Sequence, residues 1–349
     1  MRRIFTLILI ISCVFGAHAQ NNADVPKDYN VNIKIPSSWI DKLRNFNYTN
    51  NDSTLLHQFE SFLAPDTLVN PHAQHVDPSY GRVLDPMFVN LDSGTGNELI
   101  SLLGWDVTSP YLCVFKEKQG SWYLIYMEEI DTFYGSPTLA VANCFSKNKP
   151  FYLRRVYDHG SGIYIDGFSF YKLINGKVYR CLDLVNEAHI YGWGLYMNQA
   201  ITMSFEFSGD SSDELLVNYN YNFFPGAIKK GNCSWCINDN VPLIKGDASA
   251  YYKWDDKQLV YKLDIPSYQN DVDDLTAAKI SCFGAFGNDT LFVSAFNGQI
   301  QEVLKTGTKE QKKILNRYLK LVKKNGKAVT EEMQVTNEVN GTTFYRPKE

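Results

Sequence analysis

The 349 residues carry 34 basic and 38 acidic side chains, a formal net charge of −4, with 44% hydrophobic and 14% aromatic residues. That hydrophobic content excludes a disordered chain, and the slight acidity gives no electrostatic case for binding nucleic acid. Past the first twenty residues no apolar run reaches the ~18–20 residues of a membrane-spanning helix, so no transmembrane span is expected.

In chain order, Met1-Arg2-Arg3 leads an apolar run from Ile4 to Phe15, and Ala17-His18-Ala19 supplies the small residues a signal peptidase reads. Residues 1–19 are read as a secretory signal, too short to remain as a membrane helix. Cleavage before Gln20 leaves 32 basic against 38 acidic residues, a net −6. Ile10-Ile11-Ser12-Cys13 loosely resembles a lipobox, which would make Cys13 an N-terminal lipid anchor, but the apolar Val14-Phe15 behind it favours simple cleavage. The expectation is an exported protein: periplasmic, outer-membrane-associated or secreted. Cys113, Cys144, Cys181, Cys233, Cys236 and Cys282 remain after cleavage, enough for three disulfides, although Cys113 and Cys181 lie in apolar patterns that suit buried thiols.

Residues 20–84 read as a helical and loop segment. Trp39–Phe46 can form a short helix, and Ser53–Leu63 a second, with Leu55, Leu56, Phe59, Phe62 and Leu63 on one face. From residue 85 to about 300 the pattern changes to short strands separated by turns: 87–91, 98–104, 111–117, 121–127, 138–144, 151–157, 163–172, 177–184, 201–207, 214–220, 249–254, 258–264 and 290–296. Few helical segments intervene, which predicts an antiparallel meander. A Gly-, Asn- and Lys-rich insertion is placed at 223–248. Residues 301–349 are read as an amphipathic helix over Thr308–Lys324 and a terminal hairpin turning at Asn340-Gly341.

Three hairpins share one signature, an aromatic-lysine pair with an apolar residue seven positions after the aromatic. They are Phe115-Lys116 to Trp122, Tyr171-Lys172 to Val178 and Tyr252-Lys253 to Leu259. Equal spacing in three copies points to a repeated β unit. Before two of them lies a second shared element. Val89-x-Leu91 leads to Glu98-Leu99-Ile100, and Phe205-x-Phe207 leads to Glu214-Leu215-Leu216, each across a loop of small and acidic residues. An apolar strand, such a loop, a Glu-Leu strand and the hairpin make four antiparallel strands, the content of a β-propeller blade.

Over about 85–300 this arrangement resembles the FG-GAP and VCBS-type repeats of integrin-like propellers, common in exported bacterial proteins. The resemblance implies a mainly β, propeller-like domain of antiparallel four-stranded units, to which the periodicity adds short N-terminal helices and a C-terminal amphipathic helix. It also implies calcium in the acidic loops, with Asp92 and Asp210 as ligands. The loops depart from the family pattern: Gly94 and Gly96 follow Asp92 where oxygen ligands are expected, and Asp210 stands between Ser208 and Ser212. Calcium needs six to eight oxygens, several of them charged.

Other constellations carry competing readings. Cys233-Ser-Trp-Cys236 has redox spacing but lies in the insertion, so a loop-pinning disulfide is expected and a thiol-active protein is the alternative. His72, His75 and Asp77 lie in an aperiodic Pro-bracketed loop and are read as surface. Asp158-His159-Gly160-Ser161-Gly162 joins two predicted strands and is a turn, not a nucleophile elbow. Trp105, Trp193 and Trp235 fall in or beside polar loops where an exposed indole could stack on a sugar. Glu187-x-His189 offers a carboxylate-imidazole pair for binding or acid–base work. With no convergent catalytic set, the expectation is a non-enzymatic exported protein that binds a protein or glycan partner through blade loops. A hydrolase acting on polysaccharide or peptide, with residues meeting from several blades, is its rival.

Overall fold

The computed structural model describes residues 28–45, 83–92, 94, 96–104, 110–130, 132, 137–144, 148–160, 162–190, 197–208, 212–225, 242–264, 277–284, 289–324, 333–339 and 342–347. The protein is mainly β, with every pair of neighbouring strands antiparallel. The first sheet has five strands: β1 (Asn30–Ile35), β2 (Val83–Val89), β3 (Glu98–Gly104), β4 (Tyr111–Lys118) and β5 (Ser121–Glu129), in the order β1-β5-β4-β3-β2. Edge strand β2 carries Pro86, which lacks an N–H and so discourages further pairing on that side.

The second sheet has eight strands in sequence order: β6 (Thr138–Val141), β7 (Phe151–Gly160), β8 (Ile163–Ile174), β9 (Lys177–Ile190), β10 (Met197–Phe207), β11 (Glu214–Pro225), β12 (Ile244–Asp255) and β13 (Val260–Asp264). A separate hairpin, β14 (Met333–Val339) and β15 (Thr342–Pro347), matches the one expected at the C-terminus. Two of the three signature hairpins close on two-residue turns in which both residues have positive φ, Gln119 (51°) with Gly120 (73°) and Asn175 (51°) with Gly176 (78°). Such turns match the right-handed twist of their strands. β7 and β8 form a hairpin whose last pair is Gly160 with Ile163, with Gly160 and Gly162 at positive φ, so the chain reverses here as expected.

β2–β5, β6–β9 and β10–β13 are three successive four-stranded meanders. Among the described residues they do not close into a barrel or propeller, and the second and third are fused where Glu187–Ile190 of β9 pairs with Gln199–Thr202 of β10. Beyond that short ladder the sheet splits, and its two halves pack face to face. Phe205 of β10 lies 5.1 Å from Phe168 and 5.0 Å from Phe170 of β8, in edge-to-face contacts across the split. The first sheet covers the other face of β6–β9: Ile100, Leu102, Leu112 and Val114 pack on Phe151, Leu153, Tyr171 and Leu173. β6–β9 is thus the middle layer.

Helix α1 (Ser37–Arg44) lies on the outer face of the first sheet, where Ile40 and Leu43 meet Leu99, Phe115 and Leu124. Covered on both sides, β3 (ELISLLG) is buried over its first six residues, which explains its lack of alternation. The expected helix over 39–46 is realised as α1, while the one over 53–63 lies outside the described residues.

Three sequence expectations are corrected. Residues 290–296, expected as a strand, form helix α3 (Asp289–Ala295), followed by α4 (Asn297–Thr306). Phe292, Phe296 and Ile300 recur every four residues and share a helical face against Phe223 and Tyr221; a period of two misread that short apolar run. The expected insertion 223–248 is shorter, because β11 continues to Pro225, β12 begins at Ile244, and Leu243 N–H donates to Phe223 O at 2.8 Å. The expected limit at residue 300 falls within α4. Helix α2 (Ala277–Ile280) precedes this pair, and α5 (Lys309–Lys324) completes the helical layer by burying Leu315, Tyr318 and Val322. Thr308 and Gln311 cap α5 reciprocally at 2.8 and 3.2 Å, a capping box.

Candidate binding face

In an antiparallel ladder directly opposed residues point to the same side. On β11, Leu215, Val217, Tyr219, Tyr221 and Phe223 are buried, the last three beneath the helices, while Asn218 and Asn220 point outward and are exposed, with Asn222 half-buried in the same row. The register places Thr202, Asn220 and Asp247 in one outward row, and Ser204, Asn218 and Ser249 in the next. The Thr202 row continues onto β9 at Glu187, and the row on its other side, Ala200, Asn222 and Lys245, continues at His189. They go on to β8 and β7, through Asp166 and Val156 in one row and Tyr164 and His159 in the other. A single outward face thus runs across six strands, about 24 Å at ~4.8 Å per strand.

Hydrogen bonds between its side chains order this face. Asn220 Nδ2 donates to Asp247 Oδ1 at 2.8 Å, Asn222 Nδ2 to Asn220 Oδ1 at 3.2 Å, and Ser249 Oγ to Asn218 Oδ1 at 2.6 Å. Asn218, which accepts through its oxygen, keeps two N–H donors for a ligand, and Asn220, which also donates to Asp247, keeps one. Tyr251, the next outward residue on β12 after Ser249, is 54% exposed.

Toward β7 the face becomes more charged. Asp166 is buried and receives Arg154 through Nε at 2.8 Å and through Nη2, and Asn186 Nδ2 at 2.7 Å. Asn186 is the extra residue of a β-bulge between the Asp166–Glu187 and Gly167–Val185 pairs, which turns its amide onto this face. A second bulge places Tyr157 against Gly167, where a Cβ would lie 2.5 Å from the ring and 2.4 Å from Leu184 O, so only glycine fits there. Burial disfavours the Arg154 charge, but the hydrogen bond and charge of Asp166 outweigh this and raise its pKa. Burial, then the neighbouring Asp166 and Glu187 carboxylates, hold the Tyr164 phenol above its usual value. Glu187 Oε1 meets His189 Nε2 at 2.7 Å, with both side chains about one-third exposed.

Chemically, this end offers a carboxylate–imidazole pair beside an anchored Arg–Asp couple, and the other end offers neutral amides and hydroxyls. Of the residues singled out in the sequence, Glu187 and His189 come together. His159 lies in the same row as His189, two strands away and about 10 Å distant at the backbone, with Tyr164 between them. Asp92 is held by Lys116 Nζ at 2.6 Å and by Gly94 N–H at 2.8 Å, and the same Nζ reaches buried Glu98 at 2.5 Å. Trp105, Trp193, Asp210, Trp235, Cys233, Cys236, His72, His75 and Cys13 lie outside the described residues. Cys113, Cys144, Cys181 and Cys282 are buried free thiols.

The asparagine rows were missed in the sequence reading, although Asn218-x-Asn220-x-Asn222 and Thr202-x-Ser204-x-Glu206 carry the period-two signal of an outward strand face. Among the described residues no group of three His, Cys, Asp or Glu side chains is placed to hold a metal ion, and no helix is long and apolar enough to cross a membrane. Compared with known protein families, curated proteins and solved structures, the chain shows no match.

Proposed function

We propose that this chain is an exported, non-enzymatic binding protein that takes an extended, hydroxyl-rich glycan on the outward face of β7–β12. The observation that carries this reading is the ordered array of Thr202, Ser204, Asn218, Asn220, Asp247 and Ser249, bordered by exposed Tyr251. Sugar hydroxyls donate and accept together, which amides and carboxylates satisfy in pairs, and a tyrosine ring covers the apolar face of the sugar. Each such hydrogen bond contributes a net ~0.5–1.5 kcal/mol, so a shallow, wet face of this kind holds its ligand in the micromolar to millimolar range rather than tighter. The three meanders, stacked face to face, serve on this reading as blade-like units of the integrin-like type that the repeat resembles. The asparagine-rich face is then the solvated outer surface of the last unit, the polar end that a stacked array requires.

The test is co-sedimentation and calorimetry with a panel of insoluble and soluble neutral polysaccharides. The wild-type chain should bind at least one, and the Asn218→Ala/Asn220→Ala/Tyr251→Ala variant should lose at least tenfold in affinity with an unchanged melting temperature. Binding to none of the panel, or an unaffected variant, would sink the reading. The Glu187–His189 pair favours a second reading, hydrolysis by acid–base chemistry. Release of reducing sugar or peptide fragments that is abolished in Glu187→Gln would establish it instead.

A further inference from the structure

A strongly charged surface lies apart from that face. The sixteen residues of α5 carry seven cationic side chains and one carboxylate, a local +6 in a chain of net −4, so all other residues together carry −10. On a 3.6-residue helix Lys309, Lys313 and Lys320 fall within about 40° of one line, with Arg317 and Lys323 on either side of it. All five are exposed, opposite the buried Leu315, Tyr318 and Val322. From Lys309 to Lys323 the row is about 21 Å long.

Folding does not account for this arrangement. Lys309/Lys313, Lys313/Arg317, Arg317/Lys320 and Lys320/Lys323 are like-charge neighbours at three or four residues, spacings that destabilise a helix. Lys323 in the last turn favours the helix dipole, but Lys309 and Lys312 in the first turn oppose it. Glu310, three residues before Lys313, offsets one of these contacts. Lys312 Nζ is turned back onto Lys305 O at 2.8 Å, off the row.

We infer that α5 is the docking surface for a linear polyanion, a sulfated or carboxylated polysaccharide chain lying along the row. A lipid surface fits less well. Membrane-surface helices insert an apolar face, and the apolar face of α5 is already consumed in the protein core. A straight row of cations on a rigid helix instead matches the regular charges of an extended polymer. This surface is independent of the amide-rich face, because the helices cover the opposite side of the second sheet.

The experiment uses the full exported chain and titrates it with heparin as the linear polyanion. Parallel arms use neutral dextran, duplex DNA and vesicles of mixed phosphatidylglycerol and phosphatidylcholine. Heparin should bind at 0.1 M salt, with affinity falling steeply as salt rises. Lys309→Gln/Lys313→Gln/Lys320→Gln should weaken it at least tenfold and lower the log–log salt slope by about two, by analogy with counterion release from nucleic acids. The melting temperature should hold or rise, and Asn218→Ala/Asn220→Ala/Tyr251→Ala should leave heparin binding unchanged. Absence of heparin binding, a salt-insensitive affinity or an unaffected lysine variant would overturn the proposal. So would binding of the vesicles or the DNA without heparin.

Discussion

Lys116 and Lys172 occupy the same place in two copies of the hairpin signature and have opposite electrostatics. Burial would lower the pKa of Lys116, but the hydrogen bonds it donates to Asp92 and Glu98 prevail and raise it. Burial of Lys172 prevails over Asp213 and lowers its pKa, even though Trp254 and Tyr261 face its ammonium at 4.1 and 4.9 Å. Lys116→Met leaves the buried Glu98 carboxylate without its cation and with the Leu91 N–H at 2.8 Å, so it should cost about 3–5 kcal/mol. Lys172→Met removes a charge whose main partner, Asp213, is exposed, and should cost under about 1.5 kcal/mol. Urea denaturation of both variants checks the contrast. The pH dependence has opposite signs. The Lys116 contribution is complete below the unfolded lysine value and is lost as pH rises through its elevated folded value. At Lys172 the folded state binds fewer protons, so stability increases as pH rises from the depressed folded value toward the unfolded one. Wild-type melting curves between pH 8 and 11, set against each variant, separate the two. The sequence showed the Lys repeat and both Glu-Leu elements. It could not show that Lys116 meets Glu98 across a ladder while Lys172 reaches across the split sheet to Ser212 O at 3.1 Å, because register and packing lie beyond the spacing of a motif.

At the scale of elements, local chemistry was most legible where a turn or cap decides it. Asn175-Gly176 made its hairpin because two adjacent residues at positive φ favour Asn followed by Gly. Helix α5 began where Thr308 and Gln311 could cap each other. Thr308→Ala should lower stability by about 1 kcal/mol; Thr308→Ser should restore most of it, as read by thermal melting and helical circular dichroism. Elements whose apolar residues are dense rather than periodic were misjudged. Phe292, Phe296 and Ile300 carry the helical repeat, but α3 alone is too short to show it. β9 was expected to end at 184 and runs to Ile190, so Glu187 and His189 sit on a strand, and their spacing of two puts both on one face. That shared face turned a weak local pattern into a pair 2.7 Å apart.

Across the whole molecule, the two sheets are latched by polar groups as well as by their apolar contact. Asn30 on β1 exchanges two hydrogen bonds with the backbone of Val178 on β9, at 2.8 and 3.0 Å, as a strand residue would. Glu128 on β5 is buried and accepts from Tyr126 at 2.8 Å, Tyr171 at 2.9 Å and Arg180 at 3.2 Å, which ties the first sheet to β8 and β9. Glu128→Gln removes the charge and turns an amide N–H toward one of those donors. It should cost about 2–3 kcal/mol, since a buried donor is left without an acceptor. Denaturation followed by tryptophan fluorescence and by far-UV circular dichroism should remain one coincident transition, because the latch spans both sheets. A biphasic curve in the variant would instead mark the sheets as separate cooperative units. The sequence by itself determined the strand-rich antiparallel character, the signature turns, the capped basic helix and the terminal hairpin, since each follows from neighbouring residues and side-chain period. Only the tertiary structure decided how the three meanders stack, which face stays open to solvent, and which charged groups meet. Those outcomes depend on long-range register and on the competition to bury apolar faces, which no short window of the chain contains.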